Sequence, residues 1–308
     1  MPVRRRRHRR PRPRPFPWLQ VLALSAAIVF VWRGVAGLRN YIAGHAASVP
    51  ATPLGVASPP AVSLSKALPR ASAAVPGPAT QLGALSAVHP PMVAIIIDDC
   101  GNNLAKDEQF LGLPAPLTFA ILPLAQHSRE IAQEAASVGK PIMLHLPMQP
   151  ESADFNPGPG VITAEMTDQQ IAAQVEQDLA SLPPVPGANN HMGSRGTADP
   201  RVMRAVLAVL KERHLFFIDS ETTNASLGAQ LARTMGLQTA ARDVFLDNDL
   251  DEAAIEAQMR DAAKIALERG HAIAIGHPFS QTAIVLAKMI PEMQSEGVEF
   301  VAAEVLVR

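Results

Sequence analysis

The stretch MVAIIIDDCGNN, residues 92–103, runs six apolar residues into two carboxylates, a thiol and a turn. A continuous apolar run of this length, rich in β-branched residues, reads as a strand buried on both faces. Its end is harder to explain by folding. Adjacent carboxylates repel each other, so Asp98 and Asp99 either cap a turn or carry chemistry. The same design recurs down the chain. The runs LTFAIL (117–122), PIMLHL (141–146), PGANN (186–190), LFFID (215–219), LQTAA (237–241), HAIAIG (271–276) and VEFVA (298–302) read as strands. Helical spacing covers 104–111, 127–138, 167–181, 199–213, 226–235, 251–269 and 280–294. Thr167 and Ser280 read as N-caps, and Gly139, Gly236, Gly270 and Gly297 as helix ends. This alternation predicts an α/β domain with a parallel sheet covered by helices. Seven or eight such units in one domain predict a (β/α) barrel, with a doubly wound open sheet as the alternative.

In a parallel sheet of this kind all C-terminal strand ends share one rim, where such folds place their sites. Asp98 and Asp99 end the first strand, His145 closes PIMLH, His191 follows GANN and Asp219 closes LFFI. Arg242 and Asp243 follow QTAA, and His277 follows AIAIG. His127, His214 and His271 fall in or beside helices or at the opposite rim and receive no role. Imidazoles and a carboxylate converging on one rim suit a catalytic divalent metal such as Zn²⁺, with a position left open for water. Such a metal lowers the pKa of its water toward about 7 and polarises a carbonyl oxygen. One aspartate can then ligate while the other takes the water's proton, and a separate histidine protonates the leaving group. Cys100 reads as a small packing residue. No Gly-x-Ser-x-Gly elbow, phosphate-binding Gly-Lys-Ser/Thr loop or Gly-x-Gly-x-x-Gly turn offers a competing chemistry.

The two ends of the chain differ in charge. Residues 1–90 hold twelve Lys and Arg and no acid, whereas the remaining 218 residues hold 15 of the 27 basic residues and all 28 acids. The acidic domain excludes nucleic acid as a partner, because phosphate recognition needs a basic face. Residues 1–15 contain eight arginines, and 16–32 then run seventeen residues without a charge, with Trp18 and Trp32 near the two ends. That pattern predicts a membrane-spanning signal anchor over 16–38 with the basic N-terminus in the cytoplasm. The run is longer than a usual signal-peptide core, which favours an anchor over cleavage after GHA at 44–46. Residues 39–90, rich in Ala, Pro and Ser, read as a disordered tether. The folded domain, 91–308, is expected outside the cytoplasm, on the periplasmic side of the inner membrane. Its single cysteine allows no internal disulfide.

The motifs IIIDDCG, MLHLPMQP, NNHMGS, FFIDS, VFLD and AIAIGHP, in this order, resemble the divergent polysaccharide deacetylase family. That family is a branch of the wider carbohydrate deacetylases, and the resemblance spans Met92 to about Val307. It implies a distorted (β/α)7 barrel and metal-dependent deacetylation of a carbohydrate. It makes Asp98 the base, Asp99 and His145 metal ligands, and His277 the acid that protonates the leaving amine. Here the sequence departs from the wider family. A His-x-x-x-His pair is expected, but the second position is Gln149, so His191 is assigned as the third ligand. Asp219 is expected to orient His277 or a substrate hydroxyl, and Asn190, Arg242 and Asp247 to shape the substrate side. The activity so implied is removal of acetyl groups from an envelope glycan, with peptidoglycan-like sugars as candidates. The alternative is an envelope module that has lost catalysis at Gln149 and binds glycan or protein.

Overall fold

Strand β1 (Met92–Cys100) is the central strand of a wholly parallel sheet in the computed structural model, which describes residues 90–308. The expected basic segment 1–15 and anchor 16–38, and the tether 39–90 apart from its last residue, lie outside the described residues. Among the described residues no helix is long and apolar enough to cross a membrane. The chain continues through the short helix α1 (Leu104–Asp107), β2 (Thr118–Ile121), α2 (Ser128–Ser137) and β3 (Ile142–Met148). Then come α3 (Asp168–Ser181), β4 (Gly187–Met192), α4 (Pro200–Glu212), β5 (Phe216–Asp219) and α5 (Gly228–Met235). Two very short strands follow, β6 (Thr239–Ala241) and β7 (Val244–Phe245). The domain ends with α6 (Glu252–Arg269), β8 (His271–Gly276), α7 (Ser280–Ser295) and β9 (Glu299–Val301).

The caps explain several boundaries. Thr167 and Gln170 form a reciprocal capping box at the start of α3, and left-handed glycines, Gly236 and Gly270, stop α5 and α6. Ser280 is the first residue of α7 rather than its cap, because Phe279 still holds an extended backbone.

Neighbouring strands run β6-β5-β4-β3-β2-β1-β8-β7, and β9 pairs with the beginning of β1. The side chains show that this sheet curls. Val93, Ile95 and Ile97 of β1 pack with the helices, whereas Ala94 and Ile96 point the other way. On that inner side they join Ala120, Met143, Phe216, Ile218, Ile273 and Ile275 in one cluster, plugged by Ala303, Leu306 and Val307. Strands five places apart in the sheet, β5 and β8, can share a cluster only if the sheet bends round it. The ring is closed by a change of partner. The chain pairs with β5 along β6, kinks through Arg242 and Asp243, and then pairs with β8 along β7. No ladder joins β6 to β8 below that kink. The result is a parallel (β/α) barrel, open along one seam.

Candidate metal centre

Alternation along the strands decides which residues reach the barrel mouth. Continuing the inward series from Ala94 and Ile96 brings Asp98 inward, and from Met143 it brings His145. The same parity brings Asn189 and His191 inward from Gly187, Ser220 from Phe216 and Ile218, and His277 from Ile273 and Ile275. By alternation Asp99 would point outward. It does not, because β1 carries a bulge. Ile97 faces Phe119 while Cys100 faces Ile121, so β1 spends one extra residue between them. Asp99 adopts φ 60°, a left-handed conformation that Asp tolerates better than most residues. The bulge therefore turns two successive carboxylates toward one site. Cys100 resumes the outward series and is buried in the outer core, and burial pushes its thiol pKa up.

Three donor atoms meet at the mouth. Asp99 Oδ1 lies 2.8 Å from His191 Nδ1 and 3.2 Å from His145 Nε2, and the two ring nitrogens are 3.1 Å apart. Although buried, Asp99 Oδ1 has no aligned hydrogen-bond donor. A triangle of one carboxylate oxygen and two imidazole nitrogens, about 3 Å on each edge, is what ligands share when each lies about 2 Å from one ion. These residues fit a divalent metal. Electrostatics agree. Burial works to raise the Asp99 carboxyl, but the two imidazoles outweigh it and hold it well below the usual carboxylate range. Burial disfavours a charged His145, yet Asp98 and Asp99 reverse that and raise its pKa. The corner is built to hold positive charge.

Asn189, which lies opposite His145 in the β3–β4 register, fixes the orientation of the cluster. Its Nδ2 donates to Asp98 Oδ1 at 2.8 Å, and more weakly to Ser220 Oγ at 3.2 Å. A carboxylate only accepts, so the amide nitrogen must face Asp98 and the amide oxygen must face His145 Nδ1, 2.8 Å away. In the neutral ring the proton then sits on Nδ1, and Nε2 presents a bare lone pair to the cluster. Asp98 itself is nearly inaccessible. Burial raises its carboxyl pKa, partly offset by His145, His277 and Asn189. Its Oδ2 remains on the cluster side, 3.6 Å from His145 Nε2.

His277 has a different partner. Its Nδ1 lies 2.9 Å from Asp247 Oδ1, and its backbone N–H donates to Asp247 Oδ2 at 2.6 Å. Thr282 Oγ1 donates to the same oxygen at 2.8 Å, so Asp247 is buried and held on both sides. Burial lowers the pKa of His277, but the hydrogen bond to Asp247 and the charge of Asp98 prevail and push it up to about 9. That shift favours the protonated ring at neutral pH.

Other residues read from the sequence sit elsewhere. Asp219 points outward by parity, and its Oδ2 accepts from Ser226 Oγ and the Ala229 N–H at the start of α5. Gly228 makes that approach possible, because a Cβ there would lie 2.5 Å from Asp219 Oδ2. Asn190 donates to Met192 O and accepts from the Ser220 N–H, joining the ends of β4 and β5. Arg242 donates to the carbonyls of Ser220 and Glu221 and lies 5.3 Å from the Phe245 ring centre. Gln149 braces the loop after β3 by accepting from Ala164 N–H. Asn189 and Ser220 were not singled out in the sequence, although strand parity counted from His145 and Phe216 would have located both.

A parallel barrel with this carboxylate and imidazole rim defines a class of α/β proteins whose strand ends carry a candidate metal site. Within it the chain belongs to the divergent polysaccharide deacetylase family, which residues 95–307 match. An uncharacterized protein of Haemophilus influenzae is 38% identical over 199 residues, spanning 63% of this chain and 69% of its own. YibQ of Escherichia coli K12 is 34% identical over 211 residues, spanning 67% of this chain and 66% of its own. Among solved structures, the uncharacterized protein ATU2773 from Agrobacterium tumefaciens C58 shares the fold, with a TM-score of 0.69 at 24% identity. That match covers 72% of this chain and 91% of the other.

Proposed function

We propose that the domain is a metal-dependent carbohydrate deacetylase acting on an acetylated glycan of the cell envelope. The observation that carries this reading is the meeting of Asp99, His145 and His191 donor atoms beside a buried acid, Asp98, whose charge also acts on His277. A divalent ion, for which the N,N,O donor set suits Zn²⁺, supplies Lewis acidity for the acetyl carbonyl and for water when bound. The chain's own residues move the protons. Asp98 Oδ2 accepts a proton from the attacking water as the new carbon–oxygen bond forms. His277 gives its Nε2 proton to the sugar nitrogen as the carbon–nitrogen bond breaks, and acetate and a free amine leave. Asp247 keeps the Nδ1 side of His277 occupied, so the transferable proton is the one on Nε2. Family membership supports a glycan as the partner. The charge pattern of residues 1–38 supports a single-pass inner-membrane anchor with a cytoplasmic N-terminus, and 39–90 a tether placing the domain in the periplasm. Acetate release from acetylated chito-oligosaccharides or peptidoglycan fragments by the metal-loaded chain tests the activity. Bound glycan with no acetate released would instead identify a binding module.

A further inference from the structure

The seam below the kink between β6 and β7 holds a cavity of about 740 Å³, which shares none of the acids and imidazoles of the metal centre. Its lining follows from the change of strand partner. Where β6 and β8 fail to pair, the gap is bordered by the kink residues Arg242 and Asp243, by Arg269 at the end of α6 and His271 at the start of β8, and by Ile273 and Leu306 on the barrel side. Arg233 of α5 and Arg308, whose backbone pairs with Thr239, complete it. Four arginines and two side-chain carboxylates, Asp243 and Glu221, thus border it.

The two acids do not occupy all four arginines. Asp243 is already occupied, with Oδ1 3.1 Å from Arg269 and Oδ2 accepting from the Ile273 N–H. Burial, together with the charges of Asp219 and Asp243, raises the Glu221 carboxyl against the pull of Arg242 and Arg233. Arg242 is anchored by two carbonyls. Arg233 and Arg308 make no ion pair among the described residues, and both residues are exposed and line the cavity.

We propose that this seam binds the phosphate monoester of a sugar or small polyol. Arginines outnumber the acidic side chains here, and guanidinium forks match the oxygens of a phosphoryl dianion in pairs. The volume lies in the range of about 300–1,000 Å³ typical of small-ligand sites and far exceeds a bare phosphate.

Isothermal titration of the full-length chain with glucose 6-phosphate, glycerol 3-phosphate, glucuronate and glucose tests it. Saturable binding is expected for at least one phosphate ester, about tenfold tighter than for glucuronate, with none for glucose. The sugar and glycerol arms identify the carrier. Replacing both Arg233 and Arg308 with Ala should weaken phosphate binding at least about tenfold. Arg233→Lys, which keeps the charge and loses the fork, should fall between. Arg204→Ala, on the exposed face of α4, should change nothing, and His145→Ala should keep the phosphate site while disrupting the metal corner. No saturable binding up to about 10 mM, equal affinity for glucuronate, or unchanged binding in the double variant would overturn the assignment.

Discussion

His145, inside the mouth of the barrel, shares its Nδ1 with the neutral amide of Asn189, whereas His277 shares its Nδ1 with the buried carboxylate of Asp247. Both rings feel the charge of Asp98. The second partner separates their tasks. An amide oxygen fixes the tautomer without adding a charge, leaving a lone pair for a cation. A carboxylate stabilises the imidazolium and makes the ring a proton donor. A third region shows what burial does with no imidazole at all. Asp178, in α3, accepts only from Gln174 on one oxygen, and burial pushes its carboxyl pKa up to about 7.

This comparison can be broken at several points. The largest expected effect is on the base. Asp98→Asn keeps the size of the side chain but cannot accept the water's proton, so kcat for acetate release should fall by about 10²–10⁴-fold with metal still bound. Unchanged turnover would remove Asp98 from the mechanism. Next is the amide partner. Asn189→Ala frees the His145 ring and should weaken metal affinity by about 10–100-fold, measured by competition with a chelating dye.

On the other side of the mouth, the rate should fall as pH rises through about 9, where His277 loses its proton. Asp247→Asn removes the carboxylate that holds that proton, so the alkaline limb of the pH–rate profile should move down toward the ordinary imidazole value. A limb that stays in place would mean that another group provides the acid. The smallest effect concerns stability. The Asp178 pKa is raised in the folded chain, so its contribution is full below the unfolded value near 3.8 and is lost as pH rises through about 7. Asp178→Asn should therefore raise stability at pH 8 by ~1–3 kcal/mol in urea unfolding and leave it little changed at pH 4.

Much of the fold was legible because long apolar strands and capped helices carry strong local signals. β7 was not, since Val244 and Phe245 are too few to show a period, and their pairing depends on β8, far off in sequence. The rim residues were legible as a group, because strand ends are visible in sequence. Their directions were not. Asp219 closes an apolar run just as Asp98 does, yet its parity turns it outward to cap α5, and Asp247 is the residue that meets His277. Asn190 and Asn189 are neighbours, but only Asn189 shares the inward face with His145 and His191. The paired acids of MVAIIIDDCGNN were explained only by the bulge, a register shift that exists between two strands and not within one.

The central claim is that Asp99, His145 and His191 form a metal corner. Metal analysis of the purified chain tests it most directly. The account predicts about one divalent ion per chain, lost or sharply reduced in His145→Ala and in His191→Ala while the fold is retained. A chain that binds no divalent ion, or both variants retaining it in full, would contradict the account.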